Sequence, residues 1–88
     1  MKTIELNLTH IYTVRALHIY IQYMLDLPAY YGRNLDALHD VLAESHGLSL
    51  HIVTGKDASP EMETYLPRLA RVLEDAAREN ESLSVAWN

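Results

Sequence analysis

Three short runs of alternating side chains, set far apart, constrain this chain more than anything else in it. In Lys2 to Leu8, the apolar Ile4, Leu6 and Leu8 point one way and Thr3, Glu5 and Asn7 the other. In Leu48 to Val53, Leu50 and Ile52 oppose Ser49 and His51, and a third run follows at Leu83-Ser84-Val85-Ala86-Trp87. A period of two marks a half-buried strand. The segments between the runs carry helical patterns, so the predicted order is β-α-α-β-α-α-β. Strands joined by helical crossovers lie parallel, with right-handed connections. The fold class expected is α/β: a three-stranded parallel sheet with helices packed on it, one domain over residues 1–88.

The helices have start and stop signals. Thr13 is placed to cap a helix running to about Leu25, with Val14, Leu17, Ile21, Met24 and Leu25 inward. Pro28 keeps Leu27 from continuing it. After the loop Ala29-Tyr30-Tyr31-Gly32-Arg33, Asn34 is an N-cap for a second helix from Leu35 to about Ser45. Its inward residues are Leu35, Leu38 and Leu42, with Val41 beside them, and Gly47 terminates it. Ser59-Pro60 reads as N-cap and first helical residue. The pattern then runs to about Asn80, with Leu66, Leu69, Leu73, Ala76 and Ala77 inward. Pro67 interrupts it, which predicts two helices or a kink there.

Composition narrows the function. With 88 residues and no Cys, the chain relies on one apolar core, and neither disulfides nor thiolate chemistry is open to it. Such a domain suits a reducing compartment, and the N-terminus lacks the pattern of a signal peptide, so a cytoplasmic location is expected. The most apolar stretch, Val14 to Leu27, contains Arg15, His18, Gln22 and Asp26, too short and too charged to span a bilayer. The net charge is −5, from 12 acidic and 7 basic residues, and the basic ones are scattered. Direct nucleic-acid binding is therefore disfavoured, whereas a basic protein partner fits.

The usual catalytic and cofactor signatures are absent: no phosphate-binding glycine loop, no Gly-x-Ser-x-Gly and no His-Glu-x-x-His. No cofactor is expected, and the chain reads as a binding protein, not an enzyme. The five His residues read mostly as surface or helix-end residues. Asp36, His39 and Asp40 share one helix face at i, i+3 and i+4, a spacing also open to a metal or acid–base site. Three ligands on one helix rarely complete a coordination shell, and the chain shows no second cluster. Asp36, Asp40 and Glu44 instead form an acidic stripe, repeated by Asp75 and Glu79 on the last helix. Like charges at i, i+4 oppose helix formation, and acidic groups near a helix C-terminus oppose its dipole. On the last helix Arg71 precedes Asp75 by four residues, and Glu74 can pair with Arg78. On the second helix no compensating base follows. Retained charge of this kind points to an anionic binding surface. Of the adjacent Tyr30 and Tyr31, only one can turn into the core, leaving the other as an exposed aromatic anchor.

The stretch Leu27-Pro28-Ala29-Tyr30-Tyr31-Gly32-Arg33-Asn34-Leu35-Asp36-Ala37-Leu38-His39-Asp40-Val41-Leu42 resembles the signature of the barstar family, intracellular inhibitors of ribonucleases such as barnase. The resemblance implies a barstar-like three-stranded parallel sheet, and inhibition by insertion of the second helix and its preceding loop into the nuclease active site. It implies a basic ribonuclease as partner, in a 1:1 complex. Tyr30 would stack at that site, Gly32 and Asn34 would shape the loop, and Asp36 and Asp40 would meet basic residues, with Asp40 where a substrate phosphate sits. Asp75 and Glu79 would supply two further acidic contacts. His39 and Ser45 stand where the best-known member has Trp, Arg33 replaces an acid, and Asp75 is one methylene shorter than the family's Glu. These departures lie on or near the binding face and bear on which target is bound: another ribonuclease, another toxin, or a non-nuclease partner.

Overall fold

The computed structural model describes residues 2–88. The elements are β1 (Lys2–Asn7), α1 (Val14–Met24), α2 (Leu35–Ala43), β2 (Leu48–Val53), α3 (Pro60–Glu79) and β3 (Leu83–Trp87). All three strands are parallel, in the order β1-β2-β3. Register follows the alternation: Ile4 pairs with Leu50 and Leu50 with Val85, while Leu6 pairs with Ile52. One sheet face is therefore continuous aliphatic surface. The other carries the rows Thr3–Ser49–Ser84 and Glu5–His51–Ala86. Both crossovers step the same way, and right-handed connections that do so place their helices on one side of a sheet. That side holds the core, where Leu17, Ile21, Leu38, Leu42, Leu50, Ile52, Leu69 and Leu73 are almost wholly removed from water. The polar face stays open.

The α3 segment departs from expectation. It is one continuous helix of 20 residues with Pro67 inside it, so the element count falls from four helices to three. Pro67 removes the amide that would bond the Glu63 carbonyl, a change costing about 3 kcal/mol in a helix interior. Both residues lie on the exposed face, where that carbonyl is open to solvent and need not be left unsatisfied. The opposite face buries Met62, Tyr65, Leu69, Leu73 and Ala76, and this packing holds the helix together across the break. The start is as expected: the Ser59 hydroxyl accepts from Met62 N at 3.1 Å, followed by Pro60.

The ends of α1 are tied to other elements. Thr13 Oγ1 accepts from Ala16 N, and Val14 N donates to Glu61 Oε2 of α3 at 2.6 Å. At the far end Asp26 adopts φ 51°, Leu27 N donates to Gln22 O, and Asp26 N donates to Tyr23 O. This is a Schellman termination with Asp where Gly is usual, and Asp is one of the few residues that tolerate the left-handed conformation. Among the described residues, no helix is long and apolar enough to cross a membrane.

His18 is an exception among histidines that read mostly as surface or helix-end residues. It is fully buried in α1, with Nδ1 2.8 Å from the Tyr31 hydroxyl and Nε2 2.7 Å from that of Tyr65. Position 18 completes the i, i+3, i+4, i+7 stripe of Val14, Leu17 and Ile21, so periodicity put it inside. The two tyrosines make that placement tolerable, because a buried imidazole needs partners for both nitrogens. Burial lowers the His18 pKa below its ordinary value and raises those of both tyrosines.

Candidate functional site

The loop between α1 and α2 is rigidly held. Tyr31 is anchored to His18, and Gln22 of α1 bridges the two ends of the loop. Its Nε2 donates to Pro28 O at 2.8 Å, and its Oε1 accepts from Arg33 Nε at 3.0 Å. Arg33 itself sits at φ 54°. Asn34 caps α2 as expected, its Oδ1 accepting from Ala37 N at 2.8 Å, and its Nδ2 donates back to Gly32 O. Such a cap contributes about 1 kcal/mol. A Cβ at Gly32 would lie 3.2 Å from both Ala37 Cβ and Asn34 Nδ2, so the loop turns into α2 too tightly for a larger residue without shifting the cap.

With Tyr31 inside, Tyr30 is turned out and is 87% exposed. It lines an open groove together with Leu27, Val41, Asp40 and Glu44. Asp36 is exposed in the first turn of α2, where its charge favours the helix. Asp40 is 83% exposed near the other end. The last turn of α2 holds no basic residue; Asn80 Nδ2 instead donates to the Leu42 and Ser45 carbonyls at 2.9 and 2.7 Å. Neutral amide donors thus satisfy the helix end and leave the acidic stripe uncancelled.

The second stripe is placed beside the first because α3 packs on α2. Two of its contacts were not legible in the spacing. Arg78 pairs with Asp75, not with Glu74. His39 reaches across to hydrogen-bond Glu79, while its Nδ1 lies 3.7 Å from Asp40. Its pKa is raised chiefly by its hydrogen bond to the Glu79 carboxylate, with Asp40 a lesser cause. His39 thus lies between Glu79 and Asp40, and no ion pair among the described residues joins it to Asp36. Among the described residues no group of three or more His, Asp or Glu is arranged to hold a metal ion.

Tyr30, Gly32, Asn34, Asp36, His39 and Asp40 therefore lie along one loop and helix, with Asp75 and Glu79 on the neighbouring helix. Sequence reasoning missed the supports, Gln22 and His18. Gln22 left no signal, whereas His18 lay in the apolar stripe. The fold and this face define a small parallel α/β domain that presents a preorganised acidic and aromatic surface. A family model described as Barstar (barnase inhibitor) matches residues 1–87. The chain belongs to the Barstar family. Among curated proteins, no match to it is found.

Proposed function

We propose that this protein inhibits a ribonuclease by placing the loop 28–34 and α2 in the nuclease's active-site cleft, in a 1:1 complex. The observation that carries the reading is the pair Asp36 and Asp40, carboxylates with no Lys or Arg partner among the described residues, beside exposed Tyr30 on a loop fixed at three points, in a chain of this family. A ribonuclease cleft must be basic to hold a phosphodiester. Carboxylates one helical turn apart, about 6 Å along the axis, offer such a cleft two anions in fixed positions. Asp40 takes the place of a substrate phosphate, Asp36 and Glu79 meet flanking bases, and Tyr30 offers a ring for stacking. Because the loop is held before contact, little ordering cost opposes binding. The protein acts in the cytoplasm as an immunity protein, keeping the nuclease silent in the cell that makes it.

Acidic face and basic cleft attract at long range, so the association rate should fall steeply with salt as the screening length shortens from about 10 Å at 0.1 M to about 3 Å at 1 M. Stopped-flow mixing with a barnase-type ribonuclease measures this. A rate insensitive to salt contradicts the electrostatic account.

A further inference from the structure

We propose that His39 is a specificity-determining residue whose ring proton competes with the partner's cations for Glu79 and Asp40, so that docking of a basic partner expels a proton. This rests on the reading above and assigns His39 a task within it.

The geometry supplies the competition. His39 projects from α2, only 29% exposed, between a carboxylate of each helix. Nε2 meets Glu79 Oε2 across the helix pair, and Nδ1 lies 3.7 Å from Asp40 Oδ1. Both carboxylates remain open to solvent on their other sides, Glu79 at 58% and Asp40 at 83% exposed. A cation arriving from outside therefore reaches the same two groups that hold the imidazole. The next charges are Asp36, one turn before Asp40 on α2, Glu44 one turn after it at the C-cap, and Asp75, one turn before Glu79 on α3 and paired with Arg78. Glu79 and Asp40 thus carry the interaction.

In the free protein these carboxylates favour imidazolium, and the raised pKa of His39 agrees. A Lys or Arg placed against them repels that proton and lowers the pKa again. By linkage, a ligand that lowers a pKa binds more weakly as pH falls through the free-state value, by at most about tenfold per pH unit for one proton. Partners that bring a strong base to Glu79 gain most at higher pH. Partners that leave Glu79 to His39 show no such dependence.

The test uses the full chain, with hexa-arginine as a defined cationic probe, and follows the His39 ring and the backbone amides by NMR. Free wild type should titrate above 6.5 at His39, and Glu79→Gln should bring the midpoint down. Adding hexa-arginine should lower the wild-type midpoint by roughly half a pH unit or more while shifting amides of 30–40. If those amides shift but the His39 midpoint stays, the proton competition is wrong and the anionic-face reading stands. If no amide of the loop or α2 responds, both are wrong. A midpoint unchanged by Glu79→Gln also overturns the proposal, since Glu79 would then not hold the ring.

Discussion

Replacing Asp40 with alanine is expected to weaken the complex with the ribonuclease by about 2–5 kcal/mol, more than any other single change on this face. The range is that for truncating one partner of a buried charge pair in general; close charge pairs at the barnase–barstar interface couple by about 1.5–7 kcal/mol. Most of it comes from partner bases left desolvated and unpaired once the carboxylate is gone. Asp36→Ala and Tyr30→Ala should follow, and Glu44→Ala should cost least, since Glu44 sits at the C-cap, on the rim of the groove. A binding titration across these variants checks the order, and equal losses for Asp40 and Glu44 contradict the placement. The free protein should respond in the opposite direction. Asp40 has Asp36 four residues before it and Glu44 four after it, and α2 has no basic residue in its last turn. His39 at 3.7 Å relieves only part of this. Asp40→Asn should therefore raise Tm slightly, by roughly 1–4 °C for a few tenths of a kcal/mol. Stability and binding moving apart is the behaviour of a charge kept for function.

The second large effect is in the core. His18→Leu keeps side-chain size but leaves the hydroxyls of Tyr31 and Tyr65, both buried, without their partner. Each stranded hydroxyl costs about 1–3 kcal/mol, so a loss on the order of 2–6 kcal/mol is expected, lowering Tm by at least roughly 8 °C. The same histidine sets an acid limit. Its folded-state pKa is depressed by burial, so the unfolded chain takes up the proton more readily. The stability this residue contributes is complete above about pH 6.5 and is lost as pH falls below it. Thermal melts of wild type and His18→Leu between pH 5 and 8 should show a slope in the first and a flatter, lower line in the second. Equal melting temperatures at pH 8 contradict the bridging role.

Strands and caps were legible in the sequence because their causes are local. Alternation at Leu48–Val53, Asn34 before Leu35 and Ser59 before Pro60 each act within a turn or two of the chain. The helix is not divided at Pro67, for the complementary reason. Its cost is local, but the packing that overrides it comes from Leu69, Leu73 and Ala76 against the rest of the core. The acidic stripe of α2 was visible in its spacing, as was the need to turn one tyrosine outward. The groups that complete the site were not. His39 and Glu79 are 40 residues apart, and His18 and Tyr65 are 47 apart. Only the packing of helices on one sheet face brings such pairs together.

The most direct test of the central claim is an inhibition titration at fixed concentration of a barnase-type ribonuclease, following RNA cleavage as this protein is added. A face that fills the active site predicts a linear loss of activity ending at one inhibitor per enzyme, with no recovery over time. Asp40→Ala should shift this to a shallow curve needing at least about 30-fold more protein, the equivalent of 2 kcal/mol. Activity that persists at a large excess of wild type, or inhibition unchanged by Asp40→Ala, contradicts the account.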